Sequence, residues 1–141
     1  MKKLCLLLLV LLLAALLCAC GNDEQITFRN DLETKVHGVY ISPITDEQWG
    51  DPLNYAVIRS GGTIHIDFEK FAGDSAYYDF IAVDENELYY DVRDVPLAVG
   101  DVLAISVDGD IAILTVTDAE GKSESYDGYA YHPDDLETET N

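Results

Sequence analysis

His65 and Asp67 stand two apart in "TIHIDF" (63–68), and Ser60 precedes them ahead of Gly61-Gly62. Serine, histidine and aspartate are the residue types of a nucleophilic triad. Their order here does not make one. The alternation of "TIHIDF" puts His65 and Asp67 on the same solvent-facing side of a strand, where an ion pair is the extent of their chemistry. Ser60 lies in a turn, and the chain has no G-x-S-x-G elbow to expose a serine nucleophile. His37 and His132, the other histidines, fall in no H-E-x-x-H or similar metal pattern. No Walker or Rossmann glycine loop occurs. The reading of catalytic residues and of cofactors is therefore none.

Carboxylates are abundant, 27 against eight lysines and arginines. Asp79 and Glu87 are a candidate pair for general acid and base work in one cleft. A glycosidase of that kind needs a long sugar groove, for which one small domain has little room. Hard cations take carboxylate and carbonyl oxygen, which makes three acidic turns the candidates for calcium: Asp84-Glu85-Asn86, Asp108 and Asp110 about Gly109, and Asp91 with Asp94. None follows the D-x-[DN]-x-[DN]-G-x₅-E loop, and Asp and Asn are also ordinary turn formers. The acidic balance argues against a nucleic-acid partner, whose phosphates need Lys and Arg.

Nine tyrosines and Trp49 are the remaining candidates. Tyr and Trp bring large contact area and a polar handle at low entropic cost. Trp49 falls in a loop, "TDEQWGDP", as an exposed recognition residue or as a cap on one end of the fold. Tyr77-Tyr78 and Tyr89-Tyr90 must each split between two faces, one ring inward and one outward.

The elements that carry these residues read as strands. Ile64, Ile66 and Phe68 alternate in 63–68, and Leu88, Tyr90 and Val92 in "ELYYDV" (87–92). "VLAISVDGDIAILTVTD" is a hairpin about Asp108-Gly109, with Leu103, Ile105 and Val107 inward. "ITFRN", "KVHGVYISP", "YYDFIAVD" and "SESYDGYAY" add more strands, and no segment carries a helical stripe. Seven or eight short strands with evenly spaced turns predict an all-β domain, a small antiparallel β-sandwich over 26–131. Its core would be Ile26, Phe28, Val39, Ile41, Ile64, Ile66, Phe68, Ile81, Leu88, Val92, Leu103, Ile105 and Val107. Full burial of each is worth about 1.5–3 kcal/mol before the chain's ordering entropy is subtracted. Residues 132–141, "HPDDLETETN", read as a loose acidic tail.

The start of the chain has another character. Met1, Lys2 and Lys3 precede sixteen uncharged residues, Leu4 to Ala19. A basic start, an apolar run and small residues at its end describe a secretory signal. As a helix that run reaches about 24 Å, short of a bilayer core of about 30 Å. Leu17-Cys18-Ala19-Cys20 resembles the lipobox of bacterial lipoproteins. The resemblance implies that residues 1–19 are cut away, that the Cys20 thiol carries a diacylglyceryl group, and that residues 20–25 form a tether. Two acyl chains would anchor the protein stably to a membrane. Cys5 and Cys18 would leave with the signal, so no disulfide supports the exported domain. Cutting removes two lysines and no acid, which leaves six basic against 27 acidic residues, a formal charge of −21.

The middle of the chain resembles a loose group of small, uncharacterised secreted bacterial β-domains. The likeness lies in "VYISP" (39–43), "EQWGDPL" (47–53), Gly61-Gly62 and "YDFIAVDEN" (78–86), and it brings no activity with it. The resulting expectation is a bacterial lipoprotein on the outer side of the cell membrane. It carries a non-enzymatic binding or interaction domain of the cell envelope. The alternative is a calcium- or carbohydrate-binding extracellular module. Partners would be the membrane through Cys20 and an envelope protein, a cation or a glycan.

Overall fold

The computed structural model describes residues 24–137. Eight strands follow in chain order: β1 (Gln25–Asn30), β2 (Val36–Pro43), β3 (Thr63–Asp67), β4 (Tyr77–Asp84), β5 (Tyr89–Pro96), β6 (Val102–Asp108), β7 (Ile111–Thr117) and β8 (Ser123–Tyr131). The all-β expectation holds. The arrangement differs from a fully antiparallel sandwich: the strands hydrogen-bond into one sheet of order β2-β4-β5-β8-β7-β6-β1-β3, in which β1 and β6 run parallel.

That sheet is curled. Phe28 on β1 and Phe80 on β4 stack with ring centroids 5.8 Å apart, although five strand spacings separate them along the sheet. In a flat sheet those spacings would put them about 24 Å apart. The sheet therefore wraps into a half-barrel, and the inward rings and aliphatic side chains of one face close on each other. One curled sheet and two facing sheets bury the same alternating residues, which is why periodicity predicts the strands without deciding between the two.

The segment between β2 and β3 spans the seam left by the curl. Ile58 and Val36 exchange both backbone hydrogen bonds at 2.9 Å, and the Leu53 N–H donates to Val39 O at 2.8 Å. Gly61 donates its N–H to Asn30 O at 2.7 Å, and Asn30 donates its own to Gly62 O at 2.9 Å. The outer edge of β2 is thus covered by 53–58, as exposed edges in stable proteins usually are.

The core follows the alternation with exceptions. Val107 is 41% exposed, because it lies beside the Gly109-Asp110 turn, past the end of the core. Ile81 is buried but faces outward; Phe80 and Ala82, its neighbours on β4, are the ones inside. Ile64, Phe68 and Leu88 are half-buried against the core rather than within it. Tyr78, Phe80, Tyr90, Leu114 and Val95 join it. Both tyrosine pairs split as the pleat demands: Tyr78 and Tyr90 go in, Tyr77 and Tyr89 out.

Helix is scarce. Phe68–Lys70 forms one 3-10 turn, and Pro133–Glu137, inside the expected tail, forms a five-residue helix, α1. Proline suits the first helical position, and Asp134 and Asp135 suit its positive end. No helix among the described residues is long and apolar enough to cross a membrane.

Candidate functional site

Cys20, the expected acyl acceptor, lies outside the described residues. The other sequence-selected groups are separated or already engaged. His65 Nδ1 meets Thr27 Oγ1 at 3.1 Å, while Asp67 accepts a hydrogen bond from Gln25 Nε2 at 2.7 Å, so His65 and Asp67 do not pair. Ser60 donates its hydroxyl to Leu32 O and holds a turn. Asp79 lies near the start of β4 and Glu87 in the turn beyond its end, so they share no cleft.

The carboxylate of the Asp84 turn is engaged by its own surroundings. Asp84 is 2% exposed and accepts four hydrogen bonds. The Asn86 and Leu88 N–H groups donate to Oδ1, the Thr34 and Tyr90 hydroxyls to Oδ2. Burial alone would raise this carboxyl. The bonds from Leu88, Thr34, Asn86 and Tyr90 outweigh burial and hold it below its ordinary value. Asp91 is occupied by Arg93, whose Nη2 donates to it at 2.7 Å, and by the Tyr131 hydroxyl at 3.3 Å. Among the described residues no three His, Cys, Asp or Glu side chains gather as a metal site. Trp49 neither caps the core nor stands free: the Arg93 guanidinium lies over its ring, 5.2 Å from the centroid.

The site that does form is a parting in the sheet. β5 and β8 pair only at Tyr89↔Tyr131, Tyr90↔Ala130 and Asp91↔Tyr129. Gly128 makes this junction possible: a Cβ there would lie 1.9 Å from Asp91 O. Beyond Asp91 the strands diverge, and the reason is a bulge. Phe80 faces Val92 and Tyr78 faces Val95, so β5 places two residues, Arg93 and Asp94, opposite the single Asp79 of β4. Asp94 takes φ 56°, and a bulge of this kind bends its strand and increases local twist. The Asp79 carboxylate holds it in place. One oxygen accepts the Asp94 N–H at 3.1 Å, the other Arg93 Nη1 at 3.1 Å.

The gap between β5 and β8 is a groove of about 320 Å³. Its floor is apolar, from Ala76, Pro96, Leu97 and Val116, and Tyr126 forms part of one wall. Asp101, Asp118 and Glu124 border it, and Lys122 Nζ is already paired with Glu124 at 3.0 Å.

Asp101 is the unusual member. It is only 5% exposed, and its Oδ2 accepts the Ala98 N–H at 2.8 Å. Its Oδ1 has no hydrogen bond. Since no buried polar side-chain atom of the described residues lacks a partner, that oxygen is the part of the side chain reaching solvent. Burial pushes the Asp101 carboxyl up, the Ala98 N–H pulls it partly back, and the Asp118 charge adds to the rise.

A second hollow, about 360 Å³, lies under the 50–55 loop beside Ile41 and Lys70. Its cation is engaged: Lys70 donates to the Tyr55 hydroxyl and lies 4.7 Å from that ring's centroid.

Asp101 was invisible to motif reading because it sits in "AVGDVL" with no acidic neighbour. Only the arrival of β7 and β8 beside it makes a site. The signal available beforehand was weak: a Gly-Asp turn before a strand, and a Tyr-rich final strand. No family model, no curated protein and no solved structure matches this chain.

Proposed function

We propose that the chain is a bacterial lipoprotein whose β domain is a non-enzymatic binding module at the cell envelope. Residues 1–19 direct export, and Cys20 carries the acyl chains that moor the protein on the outer side of the membrane. Binding takes place in the groove between β5 and β8. The single observation that carries the binding reading is Asp101, a nearly buried carboxylate that keeps one oxygen unbonded in an apolar groove. That oxygen reaches solvent, and a cationic ligand that donates to it makes a charge-assisted hydrogen bond in place of one to water.

The tether fits this placement. Gln25 O accepts the Gly100 N–H at 2.8 Å, and the Thr27 N–H donates to Asp101 O at 2.9 Å. Chain entry and groove therefore share one end of the half-barrel. Cys20 would sit within about 17 Å of extended chain from that end, so the groove works close to the membrane surface.

Cys20→Ser tests the anchor. The variant is expected to leave the membrane fraction or to remain unprocessed, and wild-type protein to show an acylated amino terminus by mass measurement. Processing and membrane retention of the variant like wild type would end the lipoprotein reading. A glycan-binding reading draws on Tyr55 and Tyr129, 90% and 76% exposed. If Tyr55→Ala and Tyr129→Ala abolish adhesion to envelope glycans and groove variants do not, that second reading replaces the first.

A further inference from the structure

The parting between β5 and β8 leaves backbone groups without partners, and the ladder shows which ones. In the antiparallel β7–β8 pair, hydrogen-bonded and non-hydrogen-bonded residue pairs alternate. The Asp118 N–H donates to Lys122 O just before the ladder and the Ala130 N–H to Asp110 O just after it, both at 2.9 Å. With the register Thr117↔Ser123 through Ile111↔Tyr129, this parity makes Glu124, Tyr126 and Gly128 the residues bonded to β7. Ser123, Ser125, Asp127 and Tyr129 turn their N–H and C=O groups the other way. Tyr129 and Tyr131 spend theirs on β5 at Asp91 and Tyr89. Asp127, Ser125 and Ser123 come next on the same edge, and the bulge at Arg93-Asp94 has carried β5 away from them. Their outward backbone groups have no protein partner.

We infer that the groove is a slot for an added β-strand: an extended peptide with alternating basic and apolar residues, bound along the free edge of β8 from Ser123 to Asp127. This inference rests on the groove being the binding site proposed above, and it names the ligand class. Strand addition draws affinity from main-chain hydrogen bonds and specificity from pockets under alternate side chains. Both parts are present. The unpaired edge supplies the ladder. The floor of Pro96, Leu97 and Val116 accepts every second side chain if it is apolar.

Charge selects the rest. Asp101 and Asp127 have no lysine or arginine partner, and the one cation of the groove, Lys122, is bound to Glu124 and also feels Asp118. The peptide's Lys or Arg side chains alternate to the face away from the floor, beside Asp127 and within the field of the bordering Asp101 and Asp118. An acidic strand, including one from a second copy of this strongly acidic chain, is repelled. The outer edge of β2 suits a peptide less, because it is covered by 53–58.

The test uses the full-length protein purified in detergent and a short fluorescent peptide of alternating lysine and valine, read by polarisation. Wild type is expected to bind it, and to bind the glutamate–valine counterpart at least about tenfold more weakly. A version of the lysine peptide methylated on alternate backbone nitrogens cannot complete the ladder, and it is expected to lose about tenfold or more.

Ser125→Pro deletes an N–H that faces the slot and takes no bond from the β7 ladder. It is expected to weaken binding with the melting temperature preserved. Should that variant fail to fold, Asp101→Asn with Asp118→Asn gives the same reading through charge. Equal binding of the methylated and unmethylated peptides would overturn strand addition while leaving the groove as a binding site, provided Ala98→Trp, which fills it, abolishes both. No binding of the lysine peptide by wild type up to roughly 1 mM overturns the inference. Dimerisation through β8 would also overturn it, in favour of a second copy as occupant.

Discussion

Two aspartates are buried at opposite ends of the same half-barrel, and they are treated in opposite ways. Asp84, at the end away from Gln25, is wrapped by four donors and held ionised below its ordinary range. Asp101, at the Gln25 end, receives one donor, faces Asp118, and is pushed up. Near Asp84, Asn30 completes a similar enclosure: its amide donates to Thr34 O and Ile58 O and accepts the Leu32 N–H. One end is closed by polar groups that satisfy each other. The other leaves a carboxylate oxygen and a strand edge to solvent. Folding alone accounts for the first, and the second is where the proposed peptide would bind.

The largest effect should come from the junction that separates the two ends. Gly128→Ala puts a Cβ on the Asp91 carbonyl, where backbone rather than a flexible side chain must move. A loss of more than about 4 kcal/mol in chemical denaturation is expected, in the range of severe core damage. A mild effect would mean that β5 and β8 part further than described and that the groove is not framed as proposed.

Next comes the contrast itself. Asp84→Ala strands donors from Asn86, Leu88, Thr34 and Tyr90 and is expected to cost about 3 kcal/mol. Asp101→Asn should leave stability unchanged or raise it, because the side chain remains and the buried charge goes. Equal losses in both variants would erase the distinction between the ends.

The pH dependence sharpens it. The lowered Asp84 carboxyl contributes stability that is fully present above its unfolded value, near 3.8, and is lost as pH falls through its still lower folded value. The raised Asp101 carboxyl works in reverse. It lowers stability as pH rises from about 3.8 through its folded value, since the folded state then holds the proton more tightly. The gain from Asp101→Asn in thermal melts should therefore be largest at neutral pH and vanish in acid. A gain that persists unchanged below pH 4 would contradict the assignment.

The smallest effect belongs to the bulge. Arg93 is half exposed, and its ion pairs with Asp79 and Asp91 are worth about 1 kcal/mol or less at such a site. Arg93→Ala should barely move stability. Asp79→Ala should do more, because it also frees the Asp94 N–H and loosens the bulge that opens the groove.

Much of the fold was legible before any coordinates. The alternation at Ile64–Phe68, the Asp108-Gly109 hairpin and the splitting of Tyr77-Tyr78 all depend on the two-residue period of a strand, a local property. The exceptions have local reasons too. Val107 follows the inward alternation but lies too near its turn to be covered. Ile58, Asn30 and Gly128 carried no pattern. Their roles come from chain segments far apart in sequence, at the seam and at the β5–β8 junction. The same holds for Asp84: its carboxylate oxygens are taken up by Thr34 and Tyr90 as well as by its own turn, and neither is adjacent to it in sequence.

By itself the amino-acid order determined the strands and the acidic charge, because periodicity and composition are written along the chain. Tertiary structure alone decided that one curled sheet encloses the core, that β5 leaves β8 after Asp91, and that Asp101 ends up beside an unpaired edge. Those outcomes depend on which strands become neighbours, and hydrogen bonding between distant segments has no signature in the spacing of residues along one of them.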